Sequence, residues 1–220
     1  MPMETIRAIL FEPVGCLAEF APEEFREIAL NLFHRSLSPG ISGSDAYWHL
    51  LSVMETDTTH AAASNREIIE EYESRAASRA RPYEDVIPSL SELKALGIEL
   101  LIASSLSTNA VTRFLSTHSL GDFFSDVWSR DRAGGVKHVP LVNAVTDRAL
   151  EPARVMFITD TAGGLEAAGH VGVNAILMMN DPDEAMKLTT HEPAGGIVSL
   201  HELPDFIRLV SAENARPTFT

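Results

Sequence analysis

Ile6-Arg7-Ala8-Ile9-Leu10-Phe11, followed at once by Glu12-Pro13-Val14-Gly15-Cys16-Leu17, is the stretch on which the reading of this chain turns. The first six residues form a short apolar run without polar alternation. That pattern suits a strand covered on both faces, as strands of parallel sheets are. Pro13 and Gly15 end it as a turn. The chain does not then go on to a second strand. Phe25, Ile28, Ala29, Leu32 and Phe33 keep the spacing of one helix face. Pro22, Glu23 and Glu24 suit that helix's first turn. Further helices are predicted over Ser44 to Met54 and Asn65 to Arg79. Leu37 to Gly43 and Asp57 to Ser64 read as connections.

From Tyr83 onward helix and strand alternate. A helix over Val86 to Leu96 is stopped by Gly97, and Glu99 to Ala103 (ELLIA) is a strand. Then come a helix over Thr108 to Thr117, a short strand over Phe124 to Ser129 and a helix over Pro140 to Leu150. A strand over Val155 to Thr159 (VMFIT), a helix over Gly163 to His170 and a strand over Ala175 to Met179 follow. A last helix spans about Leu200 to Val210, with Leu203, Phe206, Ile207 and Val210 on one face. This order predicts an α/β protein: a Rossmann-like parallel sheet core, helices on both faces, and a helical cap inserted after the first strand. The boundaries are 1–17 and 83–220 for the core and 18–82 for the cap.

The bulk properties narrow the function. The 220 residues are 45% hydrophobic and 22% charged, ordinary for a globular protein. No apolar run nears the roughly 20 residues of a membrane helix. Met1 to Arg7 does not look like a signal peptide. One cysteine, Cys16, excludes an intramolecular disulfide and a cysteine-rich zinc site. A cytoplasmic location is the expectation. With 31 acids against 17 Lys and Arg, the formal charge is −14. Such a surface repels phosphate backbones, so neither nucleic acid nor an anionic membrane is expected as a partner. Nothing in the sequence names a protein partner.

In an open parallel sheet, ligands bind beyond the carboxyl ends of the strands. Strand one is followed by Glu12 to Leu17, strand two by Ser104-Ser105, and the strand over Val155 to Thr159 by Asp160-Thr161-Ala162-Gly163-Gly164. Gly134-Gly135-Val136-Lys137-His138-Val139-Pro140 precedes a helix. An acid, a hydroxyl, a lysine and an aspartate in that order resemble the haloacid dehalogenase-like (HAD) hydrolase superfamily, in its capped phosphatase and phosphoglucomutase-like branch. The stretch Pro88 to Gly97 also resembles the helix by which that family leaves its cap. The likeness runs from Ile6 to Val210.

The resemblance implies a chemistry. A strand-one aspartate attacks phosphorus, and a second aspartate two residues later protonates the leaving group. A hydroxyl and a lysine hold the phosphoryl oxygens, and acids after the fourth strand help to bind Mg²⁺. Ser104, Ser105 and Lys137 are then the phosphate-binding candidates, and Asp160 with Glu12 the metal candidates. The chain departs from the pattern where it matters most. Glu12 stands at the nucleophile position and Val14 at the acid/base position. Cys16 replaces the usual threonine, Thr159 and Gly164 fall where a second metal acid is expected, and His138 replaces a frequent proline. A longer side chain at 12 displaces the attacking oxygen by on the order of 1 Å, which can cost about 100-fold. Valine transfers no proton, removing a factor of about 10²–10⁴.

The expectation is a HAD-like hydrolase-fold protein, by resemblance a phosphatase of small phosphorylated metabolites, with activity weak or lost and Mg²⁺ weakly bound or absent. The alternative is a non-catalytic binding or interaction protein on the same scaffold. Glu12 reads as a displaced nucleophile or as a carboxylate in a structural ion pair. Lys137 reads as a phosphate grip or as the partner of Asp160 or Glu12 in one shared cleft. Cys16 reads as packing, and Gly163-Gly164 as a tight turn rather than an anion cradle. The insertion contains no lysine, which sets aside phosphonate cleavage by a cap lysine. The histidines show no ligand spacing.

Overall fold

The computed structural model describes residues 4–56 and 63–214. Six parallel strands form one sheet in the order β5-β4-β1-β6-β7-β8. They are β1 (Ala8–Phe11), β4 (Glu99–Ala103), β5 (Asp126–Trp128), β6 (Val155–Thr159), β7 (Asn174–Met178) and β8 (Gly195–Ile197). The apolar run around Leu10 is central, as expected of a strand buried on both faces. Ala8 and Leu10 join one apolar cluster, with Leu141, Val145 and Leu165. Ile9 and Phe11 join the other.

The sheet is covered by α5 (Val86–Ala95), α6 (Thr108–Thr117), α8 (His138–Asp147), α9 (Ala162–Val171) and α11 (Glu202–Asn214). The helix predicted over Pro140 to Leu150 starts two residues earlier and stops at Asp147, where Arg148 caps it. Three elements in the sheet and its flanking layers went unpredicted. The single turn α7 (Arg130–Ala133) is capped by the Ser129 hydroxyl. The short α10 (Pro182–Leu188) is capped by the Asp181 carboxylate, which accepts from Asp183 N and Glu184 N. Strand β8 carries two glycines, which hid it from a search for apolar runs.

Between β1 and α5 lie one turn, α1 (Pro13–Cys16), then α2 (Glu23–Phe33), α3 (Gly43–Thr56) and α4 (Ala63–Arg79). The connection expected over Asp57 to Ser64 lies outside the described residues, except that positions 63 and 64 open α4. The inserted helices leave and rejoin the sheet through a two-stranded antiparallel ribbon, β2 (Ala18–Glu19) with β3 (Arg81–Pro82). They pack closely against it. The cluster holding Ile9 and Phe11 continues through Phe20, Phe25, Tyr47 and Trp48 of the insertion to Phe114 of α6. The Phe20 and Phe114 rings lie 5.5 Å apart. Trp48 rests against α9 so closely that a Cβ on Gly163 would come within 2.6 Å of its ring.

Candidate functional site

The parallel register sets the site. Phe11 is level with Ile102 of β4 and Ile158 of β6, so the loops after all three strands emerge at one edge. Glu12, Ser104, Ser105 and Asp160 are therefore neighbours in rows just beyond the strand ends. Glu12 begins the α1 turn, in which Val14 is extended and Gly15 takes a φ of 79°. That left-handed backbone suits glycine. Space demands it too: a Cβ at Gly15 would lie 2.1 Å from Ser44 Oγ and 2.2 Å from Asp160 Oδ2.

Glu12 is 2% exposed. Ser104 Oγ donates to its Oε1 at 2.6 Å, and Ser105 N donates to Oε2 at 3.3 Å. The Tyr47 hydroxyl, brought from α3, lies 3.5 Å from Oε2. Burial pushes the Glu12 carboxyl up to about 8, against the pull of the Ser104 hydrogen bond. Burial thus favours the neutral form up to a higher pH than for an ordinary carboxyl. Val14 is wholly buried. Cys16, also buried, donates its thiol to Ile158 O, and burial raises it well above the ordinary thiol range.

Asp160 faces the other way. Its Oδ2 accepts from Ser44 Oγ at 2.6 Å and from Asn180 Nδ2 at 3.0 Å. Its Oδ1 is buried and, among the described residues, has no hydrogen-bond partner. Burial pushes this carboxyl up to about 7. Asn180 Nδ2 also donates to Gly15 O, as does the Tyr83 hydroxyl. A cavity of about 850 Å³ opens beside Asp160, walled by the 40–45 loop, Tyr83 and the start of α10.

The expected triad of Glu12, Asp160 and Lys137 in one cleft is not what the structure holds. Lys137 Nζ pairs with Glu55 of α3 at 2.7 Å, and no ion pair joins it to Glu12 or Asp160 among the described residues. The cause is local. Lys137 N donates to Ser105 Oγ at 2.6 Å, with φ at 58°, and the insertion presents Glu55 to the ammonium. The strand ends bring together Glu12, Ser104 and Ser105, place Asp160 in the next loop, and leave the Lys137 ammonium tied to the insertion.

Sequence reasoning missed the polar contacts made by the insertion. Arg130 clasps Glu73 of α4 with two bonds, 2.6 and 3.0 Å, and Glu73 also accepts from Ser107 N. Glu73 is fully buried, and Arg130 also donates to Ser105 O. A signal did exist: Glu73 lies on the inward stripe of α4 with Ile69, Ala76 and Ala77, where an acid demands a partner. Tyr47 gave no such signal, because its neighbours Leu50 and Leu51 make it read as plain core.

The family model described as haloacid dehalogenase-like hydrolase matches residues 36–178. The chain belongs to the haloacid dehalogenase-like hydrolase family. Its predicted fold class is the one observed, with HAD-like parallel strands flanked by helices. A phosphoglycolate phosphatase of Caulobacter vibrioides is 29% identical over 126 residues, covering 56% of this chain and 52% of the relative. The chain thus spans about half the length of that protein. An enolase-phosphatase E1 of Picosynechococcus is 27% identical over 185 residues, covering 81% of this chain and 79% of the relative. A haloacid dehalogenase-like hydrolase from Streptococcus pneumoniae superposes with a TM-score of 0.71 at 18% identity, over 92% of this chain and 98% of that one. HAD phosphatases generally use Mg²⁺. No described helix is long and apolar enough to cross a membrane.

Proposed function

We propose that this HAD-like protein keeps the family scaffold without an efficient phosphatase centre, so that turnover of small phosphorylated metabolites is weak or lost. The observation that carries this reading is the state of Glu12. Its carboxyl is enclosed and engaged by Ser104, Ser105 and Tyr47, and burial favours its protonated form. A carboxyl attacks phosphorus as the anion, and only from an open approach. Val14, beside it, has no proton to give. Of the three candidate phosphate grips, Ser104 gives its hydroxyl proton to Glu12 and the Lys137 ammonium is held by Glu55, while Ser105 Oγ accepts from Lys137 N.

Mg²⁺ does not fit these residues. The ion wants near-octahedral oxygen ligands and keeps several waters. Both oxygens of Glu12 and Oδ2 of Asp160 already face protein donors, which leaves Asp160 Oδ1 as the single oxygen of these two carboxylates without one among the described residues. Among the described residues no three His, Cys, Asp or Glu side chains gather to hold a metal. On this reading residues 18–82 act as a cap closed over the strand ends, fastened by Arg130–Glu73 and Lys137–Glu55.

The second reading, a binding protein on the HAD scaffold, is favoured by the cavity beside Asp160. It remains open while Glu12 is sealed. A screen of phosphate monoesters, phosphoglycolate included, with and without Mg²⁺, tests the first reading. We expect no Glu12-dependent turnover. Wild-type rates near the ordinary range of about 1–10³ s⁻¹, abolished in Glu12→Ala, would overturn it.

A further inference from the structure

We propose that His138 and His170 together hold a divalent transition-metal ion of the zinc class, fastening α8 to α9. The site uses none of the strand-end carboxyls and does not depend on whether phosphatase activity survives.

The two residues are far apart in sequence, so their spacing gave no hint of a pair. The fold brings them together. His138 opens α8 and His170 stands in the last turn of α9. Both helices pack on one face of the sheet, through Leu141 and Leu165 of a shared apolar cluster. The imidazole ring centres lie 4.2 Å apart, with the rings tilted by 42°. Among the described residues neither ring makes a hydrogen bond or an ion pair. Other histidines differ in this respect. His118 donates a ring N–H to Ala77 O, and His201 shares a hydrogen bond with Ser89 Oγ. Two imidazoles in contact, with their nitrogens uncommitted to the chain, form a ready pair of donors.

The geometry and the donor type select the ion. Two imidazoles sharing one ion, at about 2.0–2.1 Å per nitrogen, have ring centres roughly 4.5–5 Å apart. A small rotation of either side chain reaches that separation from the observed one. Imidazole suits zinc, copper and nickel, whereas Mg²⁺ and Ca²⁺ want oxygen. No third His, Cys, Asp or Glu joins the pair among the described residues, so water completes the coordination. Water has access, because His170 is exposed and His138 half-buried. The charge setting favours a cation. The chain carries a formal −14. The ammonium of the adjacent Lys137 is answered by Glu55. His170 also lies at the carbonyl end of α9, the negative end of the helix dipole.

Isothermal titration of the full chain with Zn²⁺ in a non-chelating buffer tests this, with Mg²⁺ as the parallel titrant. We expect saturable Zn²⁺ binding, weakened about tenfold or more by His138→Gln or by His170→Gln. The double substitution should add little to either single one, because a chelate is lost with its first arm. The control pair His49→Gln with His191→Gln removes two exposed imidazoles elsewhere and should change affinity by less than about twofold. Circular-dichroism melts give a second readout. Zn²⁺ should raise the wild-type midpoint above its value in EDTA and leave that of His170→Gln unchanged. Absence of Zn²⁺ binding overturns the proposal, as does binding that survives both single substitutions. Equal loss in the control pair would mean scattered capture by surface histidines. Independent, additive losses from the two single substitutions would mean two separate weak ligands. Mg²⁺ binding as tight as Zn²⁺ would assign the ion to carboxylates. Each of these three results also overturns it.

Discussion

Glu12 is the residue in which sequence and structure meet most sharply. Its position at the end of β1 was legible from the apolar run before it. Its protonation was not, because that depends on burial, which segments distant in sequence bring about. The consequence for stability has a definite sign. Folding raises the Glu12 carboxyl from 4.5 to about 8. Between those values the folded chain holds a proton that the unfolded chain has released, so raising the pH favours unfolding, by about 1.4 kcal/mol per pH unit for one such group. Below 4.5 both states are protonated and the contribution is constant. Glu12→Gln removes the ionisation while keeping the shape. Urea melts at pH 5 and pH 8 should therefore show the variant gaining on the wild type as pH rises. A wild-type to variant difference that stays the same at both values would contradict a buried, neutral Glu12. Asp160, raised to about 7, should act in the same direction over a lower window, starting near 3.8.

At the scale of elements, two ion pairs among the described residues join the insertion to the core, and they should differ greatly in worth. Glu73 is fully buried and Arg130 nearly so, 0% and 11% exposed as side chains. Arg130→Met strands a buried carboxylate, which typically costs about 3–5 kcal/mol, and adding Glu73→Leu should recover most of that. Lys137–Glu55 is more open, at 24% and 39%, so Lys137→Ala should cost less than about 1 kcal/mol. Chemical denaturation separates the two cases; equal effects would mean that burial is not what distinguishes them. The same contrast explains what the sequence could reveal. Helices and strands announce themselves through local spacing, and α2, α3, β4, α6 and β6 lie within a few residues of their predicted bounds. The elements that escaped, among them α7, α10, β8 and the β2–β3 ribbon, are short and depend on a capping side chain or a neighbouring strand. Lys137 escaped for a related reason. Its place before α8 is a matter of order, but its partner is chosen by whichever acid the insertion brings near, and that is set by packing between distant segments.

At the scale of the whole molecule, one apolar cluster unites the insertion with one face of the sheet. The two tryptophans report on either side of this union, Trp48 in α3 and Trp128 in β5, both buried. If the cluster binds the parts into one cooperative unit, the single-tryptophan variants Trp48→Phe and Trp128→Phe should give coincident fluorescence unfolding midpoints once each is referred to its own circular-dichroism curve. Separated midpoints would show an insertion that melts alone. The close fit at Gly15 and Gly163 carries this into genetics. At Gly15 a single methyl group would collide with Ser44 and Asp160, and at Gly163 with Trp48, whereas Gly121 and Gly169 face open space. In a saturation library selected for folded protein, the first two positions should refuse even alanine while the last two accept many residues. Lineages carrying this chain are then free to vary much of its surface, yet confined to glycine at the points where the insertion presses on the sheet.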